Sequence, residues 1–209
     1  MKHRPTWLAL WLFLVPFCAV AQETRQLSTA AGGTVAYSRD PNTVILSLQE
    51  DPGEVRSEDT PSVRVFGDGR ALIHYPAHMK QAGDYELRLT EAELDELMRT
   101  VAESKVPEID TTRVRERKRT VLAERRARRE VVHETSDATV STVEIDLARY
   151  QPTASAPRRA ATRVKRSLRW SGVEPDAEQL PEIAELQGLN QVRGKLRAIM
   201  ERPDRRKLR

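Results

Sequence analysis

Residues 62–75, SVRVFGDGRALIHY, decide the fold. Apolar and polar residues alternate on both sides of Gly67-Asp68-Gly69 in this stretch. A Gly-Asp-Gly sequence supplies the positive-φ positions that a tight turn between antiparallel strands requires. The stretch therefore predicts a β-hairpin that closes at Pro76, and it gives Asp68 the ordinary role of stabilising its own turn.

The neighbouring segments extend this hairpin into a sheet. TVILSLQ at 43–49 and DYELRL at 84–89 also carry the alternation of strands with one buried face. Thr90 and Glu93 then form a capping box, which predicts the start of a helix. The helix carries one apolar stripe, made of Leu94, Leu97, Met98, Val101 and Ala102. We expect this stripe to cover the sheet.

The C-terminal half repeats the order of strands followed by helices. Alternation predicts strands at 139–147 and 162–170. A short helix is expected at 176–186 and is broken at Gly188, and a second amphipathic helix follows from Leu189. Groups of strands, each closed by a helix, predict the α+β class: an antiparallel sheet with amphipathic helices packed on one face, in a single domain.

This domain is expected to span 43–202. Residues 22–42 are rich in Thr, Ser, Ala and Gly and lack an apolar period, which favours a flexible N-terminal spacer. Residues 203–209 favour a loose, charged tail. Inside the domain, 111–130 is a basic insert that can form a helix or serve as a solvated linker.

The first 21 residues have the three-part layout of a secretory signal peptide. Lys2 and Arg4 precede an apolar run over 7–20, and Ala19-Val20-Ala21 forms a small-x-small cleavage site. We therefore expect the mature chain to be exported to the periplasm or to the cell exterior, with no transmembrane segment after signal cleavage.

Two other functions of this N-terminal segment fit the sequence less well. A permanent membrane anchor needs about 18–20 apolar residues, whereas this run is shorter and contains Pro16. A lipoprotein anchor would use Cys18, but the bulky Phe17 precedes it where a small residue is needed. Cleaved export is the interpretation that fits both residues.

Cysteine usage excludes several classes of function. Cys18 is the only cysteine of the chain and is expected to leave with the signal peptide. The mature chain then forms no disulfide and offers no thiol nucleophile or thiolate metal ligand. Thiol proteases, disulfide oxidoreductases and zinc fingers are excluded on this ground.

Part of the chain resembles a family of uncharacterised exported bacterial α+β domains. The resemblance rests on SVRVFGDGRALIHY at 62–75 and LTEAELDELMRTVAESKV at 89–106, a Gly-Asp-Gly hairpin followed by a capped helix. The later strand TVEIDL at 142–147 fits the same layout. The resemblance implies a fold and brings no activity or catalytic residues, and the arginine-rich insert departs from the family pattern.

The basic segment 111–130 is the strongest functional signal. Its candidate polyanion-binding residues are Arg113, Arg115, Arg117, Lys118, Arg119, Arg125, Arg126, Arg128 and Arg129. Arginine binds phosphate groups bidentately, so anionic lipid, lipopolysaccharide or a wall polymer is a candidate partner. The alternative is a solvated face whose arginines pair with acidic residues elsewhere. Aromatic residues between the arginines are missing, so specific nucleic-acid binding is not expected.

Residues that could carry chemistry are few. His74 and His78 lie near Asp84 and Glu86, and imidazole and carboxylate are zinc ligands. However, the H-x-x-x-H spacing aligns ligands on a helix, whereas these histidines belong to a strand end and a loop. No nucleophile elbow, phosphate-binding loop or dinucleotide fingerprint is present. We therefore predict no catalytic residue, no metal site and no cofactor.

Together these features predict an exported, non-enzymatic protein that acts in protein interaction or envelope structure. The alternative is an electrostatic binder of an extracytoplasmic polyanion through residues 111–130. An envelope hydrolase assembled from scattered residues comes third.

Overall fold

The computed structural model describes residues 23–30, 33–52, 59–132, 137–153 and 162–209. The signal peptide predicted at 1–21 lies outside these ranges. The described strands are β1 Thr24–Ser28, β2 Thr34–Ser38, β3 Val44–Asp51, β4 Ser62–Phe66, β5 Arg70–Tyr75, β6 Gly83–Arg88, β7 Val140–Gln151, β8 Thr162–Ser171 and β9 Arg206–Lys207. The α-helices are α1 Glu91–Glu103, α2 Thr111–Ala127, α3 Val173–Gln179 and α4 Ala184–Met200, with a 3₁₀ turn at Val106–Glu108.

All strand pairs are antiparallel, in the order β1-β2-β7-β3-β4-β5-β6-β9. The long strand β7 organises the sheet because neighbours occupy both of its edges. Residues 140–145 pair with β3 on one edge and with β8 on the other. Residues 149–151 pair with β2 on the edge that β3 also uses. The prediction of an α+β fold with an antiparallel sheet is confirmed.

The helices cover one face of this sheet. Side chains that point to this face alternate along each strand with side chains that point away, as the pleat requires. On β7 the inward residues are Val143, Ile145 and Leu147, each at most 1% exposed. The core lies between these strands and the apolar stripes of α1 and α4, which confirms that the helices pack on one face.

Helix α4 lies in the middle of the helix layer and holds a buried charge. Arg193, which is 7% exposed, donates to Glu50 Oε1 at 2.7 Å and to Ser141 Oγ at 3.1 Å. Its third contact is Glu174 Oε2, to which Nη1 donates at 3.0 Å. One guanidinium therefore ties α4 to β3, to β7 and to the start of α3.

The local predictions at the centre of the chain are confirmed. β4 and β5 pair around a turn in which Gly69 has a φ of +86°. The Asp68 carboxylate accepts from the Arg70 N–H at 3.1 Å, which stabilises this turn as expected. At the start of α1, Thr90 and Glu93 form the reciprocal bonds of a capping box.

The flexible spacer predicted at 22–42 is wrong for β1 and β2. The Tyr37 hydroxyl donates to Asp95 Oδ1 at 2.9 Å, and Arg25 donates to Asp95 Oδ2 at 2.8 Å. Burial alone would raise the pKa of Asp95, but these two hydrogen bonds outweigh it and lower the pKa. Five-residue strands carry too few alternations to be recognised, and α1 supplies the contact that fixes them.

Three C-terminal predictions are also wrong. Helix α4 continues through Gly188, because glycine there admits the backbone of α1: a Cβ at Gly188 would lie 2.3 Å from the Ser104 carbonyl oxygen. The tail predicted to be loose contains β9, which pairs with β6 through Tyr85 and Glu86. The short helix predicted at 176–186 begins earlier and ends at Gln179.

The two glycines of α4 provide a matched test of this packing. We expect Gly188→Ala to lower the free energy of unfolding by about 1–3 kcal/mol, because the new methyl group meets the Ser104 backbone. Gly194 has no neighbouring atom within 4 Å of an added Cβ, so Gly194→Ala should raise stability by up to about 1 kcal/mol. Urea unfolding of both variants measures the difference, and equal effects would contradict the close approach.

Candidate functional site

The basic segment forms helix α2, and its arginines do not share one surface. Asp110 caps the helix by accepting from the Thr112 and Arg113 N–H groups at 3.0 and 3.3 Å. Val114 and Leu122 are its two buried residues. This narrow apolar stripe alone would hold the helix weakly. Polar contacts therefore decide how α2 docks.

Lys118 makes the central polar contact of α2. Its Nζ lies 2.5 Å from Asp176 Oδ2, and the side chains of the pair are 28% and 11% exposed. The same carboxylate accepts from the indole N–H of Trp170 at 2.7 Å. Lys118 therefore links α2 to α3 and to β8 and is not available to a polyanion.

Arg117 and Arg125 dock the rest of α2 on the loop between α3 and α4. Arg125 donates to the Gln179 carbonyl oxygen at 2.8 Å and to Glu182 Oε1 at 2.9 Å. Arg117 donates to the Glu182 carbonyl oxygen at 2.9 Å. Hydrogen bonds from charged donors are among the stronger polar contacts in proteins. Arg117 and Arg125 therefore stabilise the docking of α2.

Arg115 turns toward β8. Its guanidinium donates to the Arg169 carbonyl oxygen at 2.9 Å and lies 5.4 Å from the centre of the Trp170 ring. A cation over an indole face is attracted by the ring quadrupole. Arg115 therefore occupies one backbone group at the outer edge of the sheet.

The remaining basic residues of the segment are exposed. Within the described ranges, Arg113 has one long ion pair, with Asp110 at 3.5 Å. Arg128 pairs with Glu130 at 2.8 Å, and Arg126 also has a partner. Among described residues, the side chains of Arg119 and Arg129 have none. Of the basic residues predicted to bind polyanions, these exposed side chains are the ones that face solvent.

The second surface is the sheet face that no described helix covers, which we call the open face. Its side chains follow the strand register across β8, β7, β3, β4, β5 and β6. One row consists of Ser167, Glu144, Ser47, Arg64, Leu72 and Glu86, and the next of Arg169, Thr142, Gln49, Ser62, His74 and Asp84. The sequence indicates these residues only as polar positions within separate strands. The pairing register that aligns them depends on contacts between distant parts of the chain.

His74 lies on the open face between two carboxylates. Its Nδ1 is 2.6 Å from Asp84 Oδ1, and its Nε2 is 2.6 Å from Asp59 Oδ1. The hydrogen bond to Asp84 raises the pKa of His74, burial opposes this, and Asp59 raises it further. A ring with a carboxylate at each nitrogen favours the imidazolium form, which has no lone pair for a metal ion.

The other candidates for chemistry do not converge on His74. His78 is exposed on the turn after β5, and Glu86 accepts from Arg206 at 2.8 Å. In the ranges that the structure describes, no three His, Cys, Asp or Glu side chains are arranged to hold a metal ion. A groove of about 460 Å³ lies beside His74 and is lined in part by Arg64, Leu72 and Leu208.

Comparison with known proteins adds no family. Protein-family models, curated proteins and solved structures gave no match to the chain. The resemblance of 62–106 to exported bacterial domains therefore stays a prediction. None of the described helices is long and apolar enough to cross a membrane.

The raised pKa of His74 gives stability a defined pH dependence. The stabilising contact is fully present below the unfolded-state pKa of about 6.5 and is lost as pH rises through the higher folded-state pKa. We expect NMR titration of His74 to show a midpoint above 6.5 that falls in Asp84→Asn. His78→Gln is the control and should leave the His74 midpoint unchanged. A midpoint unaffected by Asp84→Asn would contradict the geometry.

Proposed function

We propose that this chain is an exported, non-enzymatic protein that binds a folded protein partner through the open face. Export to the periplasm or the cell exterior is supported by the signal-peptide pattern at 1–21. The observation that carries the binding role is the row of outward side chains that crosses six strands without a described helix above it.

The composition of the open face suits a protein partner. Positive and negative side chains alternate across the row, with Arg64 and Glu86 on either side of Leu72. Leu208, which is 37% exposed, adds apolar surface in the neighbouring groove. Mixed polar and apolar surface of this kind is typical of non-obligate protein interfaces. In the helix layer, by contrast, Lys118, Arg125 and Arg193 are engaged in contacts within the fold.

Site-specific photo-crosslinking tests this proposal in the cells that produce the protein. A crosslinker at Leu72 should give a discrete adduct, since this residue is the apolar member of the row, between Arg64 and Glu86. The same crosslinker at Ala123, on the exposed side of α2, is the matched control and should give none. The adduct should weaken in Arg64→Glu, and the exported chain should begin at Gln22. Equal adducts at both positions, or none at Leu72, would reject the open face as the binding surface.

Polyanion binding through α2 is the second candidate function. The observation in its favour is the outward position of Arg113, Arg119 and Arg129, which have no close ion pair among the described residues. Exposed guanidinium groups on one segment bind phosphate or sulfate groups electrostatically. Lys118 and Arg125 contribute nothing to this surface because the fold already uses them.

Heparin chromatography separates the two candidates. If α2 binds polyanions, Arg113→Glu, Arg119→Glu and Arg129→Glu together should abolish retention at low salt. The control reverses three other exposed charges, Lys80, Arg99 and Arg149, so that the net charge changes equally. Similar elution of the two triple variants would show that retention follows net charge, which would reject a site on α2.

A further inference from the structure

The outer edge of β8 is unpaired. Among the described residues, β8 has β7 as its only strand neighbour, although it is ten residues long. An edge of this length presents backbone donors and acceptors that can pair with another extended chain. Natural edge strands are usually short or covered, so this edge calls for an explanation.

The backbone groups that point outward can be assigned. In an antiparallel strand the N–H and C=O of one residue point to the same edge, and the next residue points to the other. The Gly172 N–H bonds to the Thr139 carbonyl oxygen of the β7 side, at 2.9 Å. The Arg169 carbonyl oxygen accepts from Arg115 of α2 instead. Odd-numbered residues of β8 therefore point outward.

Helix α2 occupies only one end of this edge. Arg115 takes the outward carbonyl of Arg169, whereas the outward groups of Arg163, Lys165 and Ser167 have no backbone partner among the described residues. The open stretch is about five residues long, which is enough for a short added strand.

The charge along the edge selects the kind of partner. Arg163, Lys165, Arg166 and Arg169 lie within seven residues, and all four are exposed. Asp146 on β7 pairs with Arg163 at 2.7 Å, and the described residues give Lys165 and Arg166 no such partner. Pairing of β8 with a second copy would set like charges opposite each other, which destabilises a strand pair. An acidic chain would meet complementary charge.

We propose that the outer edge of β8 binds an acidic, extended peptide segment of a partner as an additional antiparallel strand. Backbone pairing to Lys165 and Ser167 supplies the geometry, and the basic side chains that share the open face, those of Arg163, Lys165 and Arg169, supply the preference for Glu or Asp. The proposal deepens the binding role given above, because it assigns a second surface and the chemistry of the segment that occupies it.

The register defines a probe. The odd-numbered residues of β8, whose N–H and C=O groups point to the outer edge, carry their side chains on the open face. A peptide residue directly opposite one of them places its own side chain on the same face. In a fluorescent peptide Glu-Val-Glu-Val-Glu-Val-Glu, the Glu residues should therefore lie above Lys165 and direct their N–H groups at β8. N-methylation of the Glu residues should weaken binding at least about tenfold, whereas N-methylation of the Val residues should leave it unchanged.

Fluorescence anisotropy with the mature protein is the measurement. The Glu peptide should bind, and a peptide with Gln in place of Glu should bind at least about tenfold more weakly. Lys165→Glu combined with Arg169→Glu, both on the open face, should weaken binding of the Glu peptide by a similar factor. Arg99→Glu combined with Lys80→Glu is the matched control and should not.

One substitution tests strand pairing on the protein side. Ser167→Pro removes an N–H that points away from β7, so the existing pair with β7 loses no hydrogen bond. It should abolish peptide binding, whereas Ser167→Thr should not. If the proline variant does not fold, amide exchange in the wild-type protein replaces it: the peptide should slow exchange at Lys165 and Ser167.

The outcomes that overturn the proposal are distinct. No binding of the Glu peptide at about 1 mM would reject the site, and equal binding of the Gln peptide would reject the charge preference. Equal binding of both N-methylated peptides would reject strand addition in favour of simple charge attraction. Self-association through β8 would assign the edge to a second copy. Peptide binding without a crosslink at Leu72 would uphold this edge and reject the open face.

Discussion

The buried guanidinium of Arg193 is the contact on which the two-layer arrangement depends. It joins α4 to Glu50 and Ser141, the inward residues of two paired strands, at 2.7 and 3.1 Å. Removing one partner of a buried ion pair leaves an uncompensated charge, which costs about 3–5 kcal/mol. Helix α4 is therefore fixed to one face of the sheet, and α1 packs against it where Gly188 meets Ser104.

This one-sided layer explains where the binding surfaces lie. Several charged residues on the helix side make structural contacts, of which the pair of Lys118 and Asp176 is the clearest example. The polar side chains of the open face lie in register across neighbouring strands. Part of the outer edge of β8 has no backbone partner among the described residues. Helix α2, which looked like a binding element by composition, closes one end of that edge through Arg115. The basic insert thus limits the exposed edge and adds positive charge beside it.

The parts of the fold that were predictable have local causes. The hairpin at 62–75 and its capped helix are specified by residues a few positions apart, so the sequence alone indicates them. The sequence alone indicates a helix break at Gly188, because it does not show that the Ser104 backbone of another helix packs there. Lys118 was grouped with solvent-facing arginines because its partner Asp176 lies 58 residues away. The structural role of such residues depends on partners that are distant in the sequence, and composition does not reveal those partners.

One edge of β8 bonds to β7, and the other has no strand neighbour among the described residues. Amide hydrogen exchange of the free protein, resolved by residue, tests this most directly. We expect exchange to alternate along the strand: slow at Arg166 and Leu168, whose N–H groups point to β7, and fast at Lys165 and Ser167. Uniformly slow exchange across all four residues would mean that the edge is already covered, so that no strand could be added there.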